Sequence, residues 1–278
     1  MTSRLTQTLF GSITARVMTT LLCCIVAFVV FVPLLSGWEA EAVDWDALES
    51  PPSASHWFGT DLAGRDLFTR IAEGGRLSLG IAVLSTGISV LIGVPYGAFA
   101  GYLGGRVDQW MMRFVDTLYA LPFILVVILL VVVVGRNTWL LFAGLGAVYW
   151  LDIARIVRGQ TLRIRSAGYI TAARGMGAST RWIVLRHLLP NVAGIALVYA
   201  TLTVPGIVLA ESFLSFLGLG VQEPAASWGV LIADGAGNME AAPWTLLYPA
   251  VFLAVTVWTL NMLGDRLRDA LDPHLRRH

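Results

Sequence analysis

The stretch YITAARGMGASTRWIVLRHLLPN, from Tyr169 to Asn191, determines how the rest of the chain is interpreted. It interrupts a chain that is 56% hydrophobic and 13% charged, against about 25% charged residues in a typical soluble domain. No acidic residue lies between Ile153 and Ala210. Five arginines between Arg155 and Arg174 would cost about 12 kcal/mol at the centre of a membrane helix, at about 2.5 kcal/mol each. This basic stretch therefore does not span a bilayer.

Six other stretches have the length and apolar character of a membrane helix, which needs about 20 residues. The first apolar run is longer than the 7–15 residues of a typical signal peptide and lacks a clear A-x-A site, so we interpret it as an uncleaved anchor. The predicted fold class is an all-α integral membrane protein with six transmembrane helices. These lie near Val17–Leu35, Leu77–Ala100, Trp110–Val134, Trp139–Val157, Val192–Leu217 and Trp244–Leu263.

The distribution of arginine predicts the orientation of these spans. With the N-terminus inside, the inside segments and flanking helix ends hold 15 of the 19 arginines. The outside segments, Ser36–Arg76, Gly135–Thr138 and Gly218–Pro243, hold four arginines and eleven acidic residues. The positive-inside rule then places both termini and the basic loop 158–191 in the cytoplasm. We divide the chain into an N-terminal anchor with its outer segment, 1–76, and a core domain, 77–278.

Composition excludes several classes of function. All 19 basic residues are arginine, and a P-loop nucleotide site requires lysine. The net charge of +1 argues against a nucleic-acid partner. Cys23 and Cys24 are adjacent and have no histidine nearby, so we expect neither a metal nor another cofactor. The sequence also lacks the H-E-x-x-H and G-x-S-x-G patterns of common hydrolases.

The basic stretch reads as two short helices joined at Gly177. A glycine commonly ends a helix in the left-handed conformation, and Ser179 or Thr180 can cap the helix that follows. From the residues alone, this unit could contact anionic lipid head groups or dock another protein. The first helix, 167–176, has one apolar face at helical spacing, formed by Tyr169, Ala172, Ala173 and Met176.

The same stretch resembles the EAA loop of ABC importer permeases, in which E-A-A, three residues, Gly, nine residues and I-x-L-P follow one another. Ala172, Ala173, Gly177 and Pro190 match, whereas Thr171 replaces the usual Glu and His187 the usual Ile. In that family the loop is the coupling helix, which sits in a groove of the ATPase subunit. The resemblance implies ATPase coupling for Tyr169, Thr171, Ala172, Ala173, Arg174, Met176, Gly177, Ala178 and Ser179.

Five longer blocks resemble OppC-type permease subunits of the peptide (oligopeptide, dipeptide, nickel) ABC importer family. They are HWFGTDLAGRDLFTRIAEGGRLSL (56–79), GYLGGRVDQWMMR (101–113), WLDIARIVRGQTL (150–162), ESFLSFLGLGVQEPAASWGVLIADGAGNMEAAPW (211–244) and GDRLRDALDPHLRR (264–277).

This resemblance implies a type I ABC importer permease fold in the bacterial inner membrane and no catalytic residue in this chain. The implied partners are a paralogous B-type permease, two ABC ATPase subunits, a periplasmic peptide-binding protein, the peptide substrate and membrane lipid. Dipeptides, nickel or glutathione are alternative solutes. An ATP-independent secondary transporter is the alternative from another class, although the chain shows no inverted repeat.

Three acidic residues fall within the predicted spans, where charges are candidates for function. Asp116 is three residues from Arg113, and Asp152 is three residues from Arg155, so both are expected to form local ion pairs. Glu211 has no basic neighbour in sequence. It is expected either to line the translocation path or gate, or to be a hydrogen-bonded structural residue.

Two further features concern contacts between elements. Gly93, Gly97 and Gly101 are spaced four apart, which is typical of helices that pack closely in membranes. Trp228 lies in the acidic, glycine-rich segment Gly218–Pro243. We interpret that segment as an outer cap in which Trp228 contacts the binding protein, with a solvated loop as the alternative.

Overall fold

The computed structural model describes residues 12–134 and 138–271, which are mostly helical; the non-helical segment 36–66 contains two isolated β-bridges, Val43–Arg65 and Thr60–Asp66. The helices of the described residues are α1 (Ile13–Leu35), α2 (Leu67–Leu103), α3 (Gly105–Tyr119), α4 (Phe123–Val134), α5 (Thr138–Ile164), α6 (Gly168–Gly175), α7 (Thr180–Ile183), α8 (Leu189–Phe216), α9 (Trp228–Gly237) and α10 (Pro243–Leu271), with a π-helical turn, Val184–Leu188, between α7 and α8.

Four helical stretches of the described residues are long and apolar enough to cross a bilayer. They are Ile13–Leu35, Leu67–Leu103, Thr180–Phe216 and Pro243–Asp269, and they contain the first, second, fifth and sixth predicted spans. Helix α5 has 27 residues, which is long enough, but it carries several charges. Helix α4 has 12 residues and extends about 18 Å, which is less than the roughly 30 Å of a hydrocarbon core.

The prediction of one helix over Trp110–Val134 is wrong. Helix α3 ends at Tyr119, and α4 begins at Phe123. Pro122 explains the break, because proline has no N–H to donate and its ring disfavours the helical conformation of Leu121 before it. The Ala120 N–H still closes the last turn of α3 by donating to the Asp116 carbonyl at 3.0 Å. The predicted third span is thus two shorter helices joined at a bend.

The second span starts earlier than the hydrophobic pattern predicts, at Leu67 rather than Leu77. Asp66 is the N-cap, and its carboxylate accepts hydrogen bonds from the Thr69 N–H at 2.9 Å and the Thr69 hydroxyl at 2.8 Å. Such a cap satisfies helix donors that otherwise lack a partner. The predicted division between residues 76 and 77 therefore falls inside a continuous helix.

Helices α2 and α5 pack backbone to backbone, as the glycine spacing predicts. A Cβ atom added at Gly93 would lie 2.7 Å from the Trp150 carbonyl oxygen, and one at Gly101 would lie 2.8 Å from that of Arg158. A Cβ atom at Gly97 would overlap the Ala154 carbonyl oxygen. Since backbone atoms cannot rotate away, this contact requires glycine.

The two ends of α2 carry different structures. At the Leu67 end, segment 36–66 packs against segment 218–242, which contains α9. We call this region the cap. At the Leu103 end, Tyr102 joins an apolar cluster with Ile170 and Ala173 of the basic loop. The α2–α5 pair therefore connects the cap to the basic loop.

We predict that Gly97→Ala destabilises the protein by about 1–3 kcal/mol, the usual range for overpacking, because the added methyl overlaps the α5 backbone. Gly87→Ala is the matched control: it lies in the same helix, and nothing lies within 4 Å of its added Cβ atom. Thermal unfolding of the purified complex should show a lower Tm for Gly97→Ala only. Equal Tm values for the two variants would contradict the proposed α2–α5 contact.

Candidate functional site

The basic loop is built around a left-handed turn at Gly177, where φ is +83°. The Gly177 N–H donates to the Arg174 carbonyl at 3.0 Å, and the Ala178 N–H donates to the Ala173 carbonyl at 3.1 Å. These two bonds form a Schellman motif, which closes the C-terminal end of α6. The predicted glycine stop is confirmed, and its geometry fixes the direction in which the chain leaves α6.

The helix after the turn begins as predicted but does not remain separate. Ser179 is its N-cap and accepts a hydrogen bond from the Trp182 N–H at 3.3 Å. The chain then continues through the π-turn into α8 without a loop. Within that turn the Leu189 N–H donates to the Val184 carbonyl, five residues back. Pro190 has no N–H to donate, and the wider turn accommodates it, so the expected second short helix, α7, is the first part of one continuous helical stretch, Thr180–Phe216.

Helix α6 touches the rest of the chain on one narrow side. Ile170 and Ala173 are buried, at 0% and 3% exposure, in a cluster with Ile183, Val184 and Leu188. Of the four residues of the predicted apolar face, Ala173 therefore lies in the interior of the chain.

The remaining predicted contact residues lie on the outer side of the loop. Tyr169 is 46% exposed and Met176 is 81% exposed, which are large values for apolar side chains. The Arg174 guanidinium lies 5.2 Å from the centre of the Tyr102 ring. Thr171 is exposed, and its hydroxyl donates to the Ala167 carbonyl at 3.4 Å. An open depression of about 350 Å³ borders this surface and is lined by Ala173, Met176, Gly177, Ala178, Ser179 and Trp182.

We call the exposed residues Tyr169, Ala172, Met176 and Trp182 the docking face. It combines apolar side chains with a positively charged surrounding, because no acidic residue lies between Ile153 and Ala210. Arg181 and Arg186 are exposed beside it. This surface is therefore apolar and basic at once.

An ion pair that sequence reasoning missed holds the start of α3 against α5. The Arg158 guanidinium donates to both carboxylate oxygens of Asp108, at 2.5 and 2.6 Å. Asp108 is buried, and a bidentate pair of this kind is both directional and strong. Seven residues further along the chain, Arg165 donates to the Gly101 carbonyl at 3.3 Å. Sequence spacing carried no signal for either contact, since the partners lie 50 and 64 residues apart.

The two local ion pairs expected in the spans are not formed as predicted. Asp116 accepts a hydrogen bond from Arg155 Nη2 at 2.8 Å, so its partner lies on α5 and is not Arg113. The same contact takes Arg155 away from Asp152. Helices α3 and α5 run side by side, and tertiary proximity therefore decides the pairing.

Glu211 is fully buried in the described chain, at 0% exposure. Its carboxylate accepts hydrogen bonds from the hydroxyls of Ser78 and Ser215, each at 2.7 Å, and of Ser212 at 3.4 Å. The Ser78 hydroxyl also accepts a hydrogen bond from the backbone N–H of Trp228 at 3.3 Å. Glu211 thus joins α2, α8 and the start of α9, and its burial favours the structural interpretation over a path-lining one.

Trp228 is fully buried too, and its indole N–H donates to the Ile71 carbonyl at 3.0 Å. The prediction that its side chain contacts a binding protein is wrong, because a side chain enclosed by its own chain cannot reach another protein. Gly75 makes room for the ring, since a Cβ atom there would lie 2.6 Å from Trp228 Cζ2. A tryptophan in a polar, glycine-rich segment was expected to have an exposed side chain. Its burial becomes visible only from its contacts with residues that are distant in sequence.

An ion pair between Arg65 and Glu223 connects the two segments of the cap. Arg65 donates to Asp61 at 2.7 Å and to Glu223 at 3.0 Å. The fully buried Arg70 lies 3.4 Å from Asp61. Burial raises the pKa of Asp234 and the Glu223 carboxylate raises it further, whereas the guanidiniums of Arg70 and Arg65 oppose the rise. Charges of both signs therefore hold segment 36–66 to segment 218–242.

Comparison with known proteins gives one family. The family model described as "Binding-protein-dependent transport system inner membrane component" matches residues 93–277. The chain is 49% identical over 255 residues to the oligopeptide transport system permease protein OppC of Haemophilus influenzae, covering 91% of this chain and 82% of that one. It is 51% identical over 254 residues to OppC of Escherichia coli K12, covering 91% and 84%.

A dipeptide transport system permease protein, DppC of Bacillus subtilis, is 51% identical over 228 residues, covering 82% of this chain and 71% of that one. Among solved structures, an inward-facing MetNI methionine ABC transporter has a chain that matches with a TM-score of 0.57 at 24% identity, covering 73% of this chain and 97% of that chain. This match shows a shared fold. The chain belongs to the family of binding-protein-dependent transport system inner membrane components, which confirms the predicted family.

We predict that Glu211→Leu destabilises the complex, since the hydroxyls of Ser78 and Ser215 lose their acceptor in a buried site, at about 1–3 kcal/mol for each unsatisfied group. Glu211→Gln is the matched variant, because its amide oxygen can still accept one of these bonds. Thermal unfolding of the purified complex should rank the wild type above Glu211→Gln and Glu211→Leu lowest. If Glu211→Gln unfolds like the wild type but abolishes transport, the path-lining interpretation is correct instead.

Proposed function

We propose that this chain is one permease subunit of an ATP-driven importer and forms, with a paralogous B-type permease, the translocation path for oligopeptides. The observation that carries this proposal is the docking face on the basic loop. It is an exposed apolar surface, rigidly bent at Gly177, on a chain with no lysine for a P-loop. A chain with this surface and no P-loop depends on a separate ATPase subunit. The family to which it belongs supplies the inner membrane component of binding-protein-dependent transport systems.

The docking face would receive one of two ABC ATPase subunits. Tyr169, Ala172 and Met176 offer an apolar contact, and the depression beside Trp182 offers a recess for a side chain of the ATPase. Thr171, Arg174, Ala178 and Ser179 lie at or near this surface and complete the proposed coupling site. Ala173 is buried and holds α6 to the interior, and it also lines the depression.

The membrane arrangement proposed here keeps six spans, with α3 and α4 together forming the third and α5 the fourth. Both termini and the basic loop face the cytoplasm, because this orientation places 15 of the 19 arginines inside. The protein then lies in the bacterial inner membrane. The cap faces the periplasm. A peptide-binding protein would dock there on the exposed surface of segments 36–66 and 218–242 and release its bound peptide.

Oligopeptides are the favoured solute, because relatives named oligopeptide permeases are about half identical over nine-tenths of this chain. Dipeptides are the second candidate, on the strength of the 51% identity to the relative named a dipeptide permease. An ATP-independent secondary transporter would need no motor, and the docking face argues against it.

The solute is tested by uptake into proteoliposomes that hold the whole complex with its binding protein. We predict that a labelled oligopeptide enters only when ATP is enclosed on the side of the ATPases. A labelled dipeptide should enter more slowly at equal concentration. Faster dipeptide uptake would favour the second candidate, and uptake without ATP would refute the importer proposal.

The coupling role is tested at Gly177, where φ is +83° and no atom lies within 4 Å of an added Cβ. Gly177→Val therefore causes no clash but strains the backbone by about 1–2 kcal/mol. Gly177→Asn is the matched control, because asparagine adopts the left-handed conformation more readily. We predict that Gly177→Val loses ATPase binding or peptide-stimulated ATP hydrolysis, whereas Gly177→Asn retains both.

Co-purification of the ATPase subunits and ATP hydrolysis in reconstituted membranes measure the two effects. Wild-type behaviour of Gly177→Val in both assays would show that the angle set by the left-handed turn does not matter for coupling.

A further inference from the structure

The exposed surface of α3 is divided into two stripes of different chemistry. One stripe is apolar: Val107, Trp110 and Phe114 follow each other at helical spacing and are 48%, 76% and 53% exposed. The other is polar, and its members Gln109, Arg113, Asp116 and Thr117 are all exposed. Both stripes are exposed in this chain, so each faces a surrounding that the chain itself does not supply.

Helix α5 extends the polar stripe of α3. Arg155 donates to Asp116 at 2.8 Å, and its guanidinium lies 4.3 Å from the centre of the exposed Tyr119 ring. Asp152 is exposed about one turn before Arg155 on the same helix. The charged side chains of this surface are Arg113 and Asp116 of α3 and Asp152 and Arg155 of α5. From here on, the polar stripe means these four residues. It contains two acidic and two basic side chains.

These charges lie deep along their helices. Asp116 is eleven residues from the start of α3, or about 16 Å at 1.5 Å per residue. Asp152 is twelve residues from the end of α5, or about 18 Å. Within the predicted spans Trp110–Val134 and Trp139–Val157, Asp116 lies six residues and Asp152 five residues from the inner end, or about 9 and 8 Å inside the hydrocarbon core.

A charged side chain that faces lipid costs up to about 2.5–3.5 kcal/mol at the centre of a span. The apolar stripe carries no such cost and can face lipid. The polar stripe must face protein or a water-filled cavity. The Asp108–Arg158 pair shows the difference: Asp108 is only 6% exposed and its carboxylate is fully engaged, whereas Asp116 and Arg155 are 56% and 38% exposed.

We propose that the polar stripe lines the half of the translocation path nearest the basic loop and contacts the transported peptide. Asp116 and Asp152 meet the ammonium group of the peptide, and Arg155 and Arg113 meet its carboxylate. The identity of the solute rests on the proposed function above. The complementarity lies in the presence of both signs of charge, as in a zwitterionic peptide.

The same geometry explains how a charged stripe can release its solute. Arg155 and Asp116 already neutralise each other, so a passing carboxylate or ammonium group competes with an existing pair. A translocation site must bind strongly enough to admit a solute and weakly enough to let it leave. A stripe with no net charge fulfils that requirement better than a single unpaired charge does.

Thiol accessibility tests the position of the stripe. The chain has two cysteines, Cys23 and Cys24, and replacing both with serine gives a background for single cysteines. Asp152→Cys leaves the Arg155–Asp116 pair intact, and Asp116→Cys removes it. Phe114→Cys is the control on the apolar stripe, at nearly the same depth as Asp116. Each variant is studied as the assembled complex in lipid nanodiscs with a membrane-impermeant, charged methanethiosulfonate reagent.

We expect Asp152→Cys and Asp116→Cys to react at least about tenfold faster than Phe114→Cys, since a thiol in apolar surroundings ionises poorly. Adding the binding protein, an imported peptide and ATP should slow the reaction at the two stripe positions and leave the control unchanged. Equal rates at all three positions would overturn the placement in a water-filled path.

Fast reaction without protection by a peptide that the wild-type complex imports would overturn the solute contact. If the wild-type complex imports no peptide, the proposed function and the peptide contact both fail, while the contrast in reaction rates still decides whether the stripe lies in the path.

Discussion

The close contact between α2 and α5 is the constraint on which the rest of the structure depends. Gly93, Gly97 and Gly101 bring the two backbones so near that any side chain at Gly97 would overlap α5. In a membrane, where burial of apolar surface between helices gains little, such close packing and interhelical polar contacts carry the association. Once these helices are fixed, their ends determine where the cap and the basic loop can form.

The charged side chains of the bundle fall into two groups with different energetics. Asp108 with Arg158, and Glu211 with its three serines, have their hydrogen-bonding capacity met inside the chain, so they stabilise one arrangement of helices. Asp116 and Arg155 form an ion pair that remains open on one side. Because a membrane chain cannot leave charges facing lipid without cost, the open pair requires a surrounding that this single chain does not supply.

Local patterns in the sequence predicted the features that depend on local geometry. The stop at Gly177, the cap at Ser179 and the packing of Gly93, Gly97 and Gly101 follow from spacing, because a glycine or a serine acts on its own turn. The interior positions of Trp228 and Glu211 could not be predicted this way. Their partners, Ile71 and Ser78, lie far away in sequence, and hydrophobicity alone does not distinguish a buried tryptophan from an interfacial one. The break at Pro122 was visible in the sequence, but the apolar run around it outweighed the proline signal.

A single continuous helical stretch runs from the basic loop toward the cap. The stretch Thr180–Phe216 is 37 residues long and extends about 55 Å at 1.5 Å per residue. The π-turn before Pro190 keeps the backbone hydrogen-bonded where proline would otherwise interrupt it, so the element has no loop that could absorb a displacement. Its far end carries Glu211, whose serine contacts hold α2 and the start of α9. Under the proposed function, a shift of the docking face by an ATPase would therefore move the support of the cap as well, because both are attached to one continuous helical stretch.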